Sequence, residues 1–208
     1  MRKLTTQDLQ AMRLPQRFWT ASYEQIVGDT SKADSPKRII TGYLSQISRM
    51  RELGAGLVMW GPNGTGKTSM GAIILKEARR QGFSAMFLES AAIKTLVVDK
   101  TMYDSESGVT VWARAHTVDF LLLDDLGKGA QDSTGFGERL LDELIRARYA
   151  DKKPTIMTTN VNKSRLEEVI KPSTLHTLKG SCAQVLVDGH DYRTQEGDEI
   201  RRIMMGDK

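Results

Sequence analysis

Eight consecutive residues carry the densest chemistry in the chain. Gly61-Pro62-Asn63-Gly64-Thr65-Gly66-Lys67-Thr68 fits the pattern G-x-x-x-x-G-K-[ST] at every fixed position. Gly61 and Gly66 allow backbone dihedrals that other residues avoid, so successive N–H groups turn inward and cradle phosphate oxygens. Pro62, Asn63, Gly64 and Thr65 complete the cradle. Lys67 supplies a point charge to the β- and γ-phosphates, and Thr68 offers a hydroxyl to Mg²⁺. The helix that opens at this point presents its positive dipole end to the same phosphates. The ligand these residues suit is ATP with Mg²⁺.

Two further groups belong to the same chemistry. Phe120-Leu121-Leu122-Leu123-Asp124-Asp125 places two carboxylates at the end of an apolar run, and in a parallel sheet that end lies beside the phosphate loop. Asp124 is expected to hold the metal through water, and Asp125 to orient or deprotonate the attacking water. Met157-Thr158-Thr159-Asn160 closes another apolar run, so Asn160 should emerge at the same sheet edge, where its amide can hold the hydrolytic water. The catalytic set is then Lys67, Asp125 and Asn160, and the metal set Thr68 and Asp124.

These groups need elements to position them. Leu57-Val58-Met59-Trp60 is short enough for a buried strand before the glycine loop, and Lys67 to Gln81 has helical spacing that Gly82 ends. Apolar runs at Ala85 to Leu88, Phe120 to Leu123, Thr155 to Thr158 and Gln184 to Val187 alternate with polar or helical stretches. That alternation predicts an α/β fold on a mainly parallel sheet. Ser35 and Pro36 read as the cap and first position of a helix reaching about Leu53.

Bulk properties agree with one domain of 208 residues, 39% hydrophobic and 27% charged. The formal charge of +4 is compatible with a polyanionic partner without establishing one. No apolar run approaches the roughly 20 residues of a membrane span, so a cytoplasmic protein without membrane contact is expected. The lone Cys182 excludes an internal disulfide framework and has no ligand-spaced partner for zinc.

Taken with the phosphate loop, Leu122-Leu-Asp-Asp-Leu-Gly127, Arg148-Tyr149 followed by Pro154 to Asn160, and Gly189-His190-Asp191-Tyr192-Arg193 resemble the DnaC-like AAA+ ATPases. That family comprises bacterial and phage helicase loaders and the related IstB transposition ATPases. The segment Leu14 to Tyr23 also looks like its entry to the ATPase core. The resemblance implies a five-stranded AAA+ core over residues 36–194, preceded by an arm of 1–35 and followed by a tail of 195–208. It implies ATP held between subunits of a homo-oligomeric spiral or ring around DNA, which for a loader is single-stranded. Asn160 would be the sensor-1 residue and Arg193 sensor 2, reaching the γ-phosphate. Phe18, with Leu14 to Arg17, would lie against the adenine.

The partner implied is a replicative helicase or, in the alternative, a transposase recruited to duplex DNA. The family's helicase-binding domain has little room before residue 14, so the expected helix Thr6 to Arg13, or another protein, would serve the partner. Two departures shape the expected activity. Asp125 stands where AAA+ proteins usually carry Glu, and Thr177 stands where the family's arginine finger aligns, with Lys171, Lys179, Arg165 or Arg148 as substitutes. Both point to slow ATP hydrolysis, stimulated by assembly, DNA or a partner. Lys94, Lys100 and Arg114 flank the loop Tyr103 to Val109 and are the first choice for DNA contact, while Arg146, Arg148, Lys152 and Lys153 form a second basic group.

Overall fold

Five apolar runs become five parallel strands: β1 Gly56–Trp60, β2 Ala85–Glu89, β3 Phe120–Leu126, β4 Thr155–Thr159 and β5 Cys182–Leu186. In this computed structural model the described residues are 2–26, 31–99, 108–127, 135–162, 170–189 and 191–205. The strands lie in the order β2-β3-β4-β1-β5, so β4 separates the strand before the phosphate loop from the strand that ends in the two aspartates. Strand β5 begins two residues before the predicted run, and Val187 still donates to the Trp60 carbonyl at 2.8 Å.

Alternation along the strands supplies two faces. Leu57 and Met59 of β1 join one buried cluster with Leu122, Ile156 and Val185, and Val58 joins the other with Met86, Leu121, Leu123 and Met157. The first cluster is covered by α2 Pro36–Ser45, α3 Ile47–Leu53 and α4 Lys67–Arg80, and the second by α5 Ile93–Val98, α6 Val111–Thr117, α7 Phe136–Ala150 and α8 Pro172–Ser181. Helix α4 comes close to β3 because it carries Gly71, where a Cβ would stand 2.7 Å from Leu122 Cδ1. The helix predicted from Ser35 to Leu53 is two helices: Gln46, at φ −124° and ψ 28°, breaks it. Tyr43 and Ile47 are both buried on either side of that break, and the Tyr43 hydroxyl donates to the Ala55 carbonyl at 2.6 Å. The last helix, α9 Tyr192–Met205, occupies most of the predicted tail.

Two arginines expected at the surface are in the interior. Arg114, 3% exposed, donates to the Ala11 carbonyl at 2.6 Å and ties α6 to the N-terminal segment. It therefore cannot contact DNA phosphates as the sequence suggested. Arg148 is fully buried, and its guanidinium donates to the Thr155 hydroxyl and to the carbonyls of Ala115, Val118, Asp119 and Pro154. It cannot serve a neighbouring subunit as a finger. A helical arginine reads as a solvated charge unless the carbonyls that receive it are known, and those come from distant elements.

The N-terminal segment is pinned to the α4 end of the first face. Helix α1 Thr6–Ala11 is capped by Thr5 and Asp8, and Asp8, 4% exposed, also accepts from Arg2 at 2.7 Å and Arg79 at 3.0 Å. The Thr5 backbone N–H above all, with Arg79, the Thr5 hydroxyl and Arg2, outweighs burial and holds the Asp8 carboxyl at about 2, against an ordinary 3.8. A depressed carboxyl stabilises the fold fully above its unfolded value and ceases to as pH falls through its folded value. Asp8→Asn should therefore be less stable than wild type by about 2 kcal/mol at pH 6, with the difference vanishing near pH 2. Urea unfolding of both proteins across that range checks it, and a pH-independent difference would assign the effect to packing instead.

Candidate nucleotide site

Between β1 and α4 the chain makes three left-handed turns at glycine, with φ of 144° at Gly61, 78° at Gly64 and 88° at Gly66. A side chain could not replace the first of these, since a Cβ on Gly61 would stand 2.1 Å from the Val187 carbonyl oxygen. Lys67 is 6% exposed and its ammonium lies inside the loop, donating to the Gly61 carbonyl at 2.8 Å and to that of Pro62. Gly64 touches the Asp191 carboxylate, where a Cβ would overlap it, and its carbonyl accepts from the Tyr192 N–H at 3.0 Å. The first turn of α9 thus rests on the loop.

The two aspartates face the loop because β3 carries one residue too many. Leu123 pairs with Met157 and Leu126 with Thr159, three steps on β3 against two on β4, which is a β-bulge. Asp125 takes the extra step with φ 57°, a left-handed conformation that Asp tolerates better than most residues. The Thr158 hydroxyl sits at the centre of the bulge, accepting from the Asp125 N–H at 2.9 Å and donating to Asp124 Oδ1 at 2.6 Å. Asp124 Oδ1 also accepts from the Thr68 hydroxyl at 2.8 Å. Asp125 Oδ1 accepts from Asn160 Nδ2 at 2.7 Å, and its backbone carbonyl accepts from the Ser90 hydroxyl at 2.8 Å. Burial pushes the Asp124 carboxyl above the ordinary carboxylate value; the hydroxyls of Thr158 and Thr68 oppose this, Asp125 adds to it and Arg193 offsets it.

A cleft of about 490 Å³ runs from these acids along α4 to the N-terminal segment. Its polar end is lined by Gly64 to Ser69, Asp124, Asp125, Asn160 and Arg193, and its other end by Phe18, Ala21, Ile26, Met70 and Ile73. Of the residues singled out from the sequence, Phe18, Lys67, Thr68, Asp124, Asp125, Asn160 and Arg193 meet in this one space. Gly64, Thr65 and Gly66 line it too, whereas Gly61, Pro62 and Asn63 are absent from the lining, the carbonyls of the first two accepting from Lys67. Leu14 belongs to the core instead of the cleft, 4% exposed, with its carbonyl accepting from the Trp19 indole. Lys94 is half-buried on α5 and absent from the lining, and Lys100 lies outside the described residues. Thr158 and Ser90 were missed as contributors. A threonine two positions before Asn160 in an apolar strand is a usable signal for the first, and Ser90 has none.

The polar end can hold a hard cation. Thr68 and Asp124 already converge through oxygen atoms, and burial of the Asp124 carboxylate favours a positive neighbour. Among the described residues no three His, Cys, Asp or Glu side chains cluster as a protein-only metal site. Such an ion would complete its shell from phosphate oxygens and water, as Mg²⁺ does.

A parallel sheet in this order, a glycine loop entering α4 and paired acids on the next strand but one define an ATP-binding P-loop protein of the AAA+ class. The chain belongs to the IstB-like ATP binding protein family, whose model matches residues 1–199. The replicative helicase loader DnaC of Escherichia coli (strain K12) is 23% identical over 142 residues, 68% of this chain and 57% of that protein. The chain thus spans little more than half the length of the curated relatives it matches. Among solved structures, the DnaC helicase loader superposes with a TM-score of 0.68 at 19% identity, covering 84% of this chain and all of that one. DnaI gives 0.66 at 17% identity over 86% and 93% of the two chains. The replication initiator DnaA bound to AMPPCP and single-stranded DNA gives 0.64 at 17% identity over 83% and 51%. At these identities the likeness is one of fold. Among the described residues no helix is long and apolar enough to cross a membrane.

Proposed function

We propose that this protein is an ATP-dependent loader of a replicative helicase, working as an oligomer on single-stranded DNA. The observation that carries the ATPase part is the meeting of Lys67, Asp124, Asp125, Asn160 and Arg193 around one cleft. The loader part is supported by the sequence likeness to DnaC. In this reading Lys67 and the loop amides bind the β- and γ-phosphates, and Phe18 lies against the base. Thr68 and Asp124 would hold Mg²⁺, which would offset the negative charge of the phosphates when bound. Asp125 orients the attacking water and takes its proton, Asn160 keeps the Asp125 carboxylate aimed, and Arg193 reaches the γ-phosphate from the start of α9.

Hydrolysis by isolated subunits is slow in this scheme. Thr177 lies in α8, half-buried, with its hydroxyl donating to the Ser173 carbonyl, and supplies no cation to a neighbour. With Arg148 in the core and Arg165 outside the described residues, the substitutes left are the half-buried Lys171 just before this helix and the exposed Lys179 near its end, neither with the planar fork of arginine. Assembly, DNA or a partner then supplies the stimulation. The arm 1–35 is the segment proposed to contact the partner, and Lys94 with the adjoining loop to contact DNA.

The test is capture of a hexameric replicative helicase and, separately, a transposase on the immobilised protein with ATP or ADP, alongside binding of single- and double-stranded DNA. ATP-dependent helicase capture with preference for single strands is expected. Transposase capture with preference for duplex would replace the loader by a transposition helper, and capture of neither, without DNA binding, by a stand-alone adaptor.

A further inference from the structure

The base end of the cleft is walled by the segment Phe18 to Ile26, and a single buried cation fixes where that segment stands. Lys76 follows Ile73, which lines the cleft, by one turn of α4. It is 5% exposed, and its ammonium donates to the Trp19 carbonyl at 2.9 Å and to the Ala21 carbonyl. The neighbours are fixed as well: the Trp19 indole donates to the Leu14 carbonyl at 2.8 Å, and the Ala21 N–H to the Phe18 carbonyl at 3.2 Å. Thr20, between the two clamped carbonyls, lines the cleft and makes no hydrogen bond among the described residues.

A lysine is an expensive way to fill this space. Burial first, and Arg80 second, lower its pKa to about 8, so the charged form is disfavoured where it sits. An apolar side chain would satisfy packing alone; what the ammonium adds is a fixed position for two carbonyls of the segment that meets the base.

Building on the nucleotide-site reading, we propose that Lys76 is a positioning residue for base recognition. By clamping the carbonyls of Trp19 and Ala21 it holds Thr20 so that a donor and an acceptor of that residue meet the edge of adenine. A 6-oxopurine exchanges donor for acceptor along that edge, so a Thr20 that cannot turn meets it with unpaired polar groups. A loop free to reorient would accept both bases.

The test titrates wild type, Lys76→Met and Lys76→Gln with ATP, inosine triphosphate and inorganic triphosphate, each with Mg²⁺. Wild type should bind ATP at least about tenfold more tightly than inosine triphosphate. Lys76→Met should reduce that ratio to about threefold or less by weakening ATP, with inorganic triphosphate unchanged. Lys76→Gln retains a donor in the buried space, which protects the fold if methionine does not, and should lose the same preference because one shorter amide cannot hold both carbonyls. Equal binding of the two nucleotides by wild type, an unchanged ratio in the folded variants, or an equal loss of inorganic triphosphate binding would each overturn the inference. Wild type that binds none of the three ligands would overturn the nucleotide site itself.

Discussion

Asp125→Asn is expected to leave ATP affinity within about threefold of wild type while turnover falls by about two orders of magnitude or more. Asparagine has the shape of aspartate and tolerates the left-handed backbone that Asp125 adopts, so the bulge, the bond from the residue 125 N–H to Thr158 and the bond from Ser90 should survive. What disappears is an acceptor that can take a proton from water and can accept from Asn160 without a competing donor. Lys67→Ala should behave oppositely and remove ATP binding itself, because its ammonium is the charge inside the phosphate loop. Equilibrium titration with a fluorescent nucleotide and single-turnover hydrolysis separate the two. Wild-type turnover in Asp125→Asn would remove that residue from the chemistry, and wild-type affinity in Lys67→Ala would contradict the site.

Arg148→Met should lower the stability of the whole domain by about 4 kcal/mol. The guanidinium joins α7 to the end of α6 and to the starts of β3 and β4 through one hydroxyl and four carbonyls. Methionine fills part of the volume but donates nothing, leaving several buried carbonyls without this partner at about 1 to 3 kcal/mol each before any relaxation. Arg148→Lys should rescue little, since three donors on one nitrogen cannot span acceptors set around a planar fork. Urea unfolding with a tryptophan signal measures the change. A loss under about 1 kcal/mol for Arg148→Met would mean that water or other donors satisfy these carbonyls.

The phosphate loop and its flanking strand and helix were legible because local sequence dictates them: glycines where φ is positive, an apolar run before, helical spacing after. The place of the paired acids at a strand end beside the loop was legible, but not the ladder that sets them there. Nothing in Phe120 to Asp125 announces that β4 will lie between β3 and β1, or that an extra residue will turn both carboxylates toward the loop, because pairing partners are set by distant segments. The same reason hid Thr158 and Ser90, whose importance lies in what they touch, and misplaced Arg114 and Arg148. Their charge suggested solvent, yet carbonyls exposed at strand starts and helix ends provided interior partners. The break at Gln46 was invisible because no proline or glycine marks it and the burial of Tyr43 and Ile47 settles it.

The bulge on β3 sets regular pairing against the placement of two acids. A strand alternates its faces with every residue, so parity decides which side a carboxylate takes. The chain shortened by one residue at this point would pair β3 with β4 without interruption, and by the standards of a sheet it would be the better-formed edge. It would also send one acid to the wrong side and leave Thr158 with a single aspartate to hold. A flaw one residue long in the ladder is what keeps both carboxylates on the side of the glycine loop.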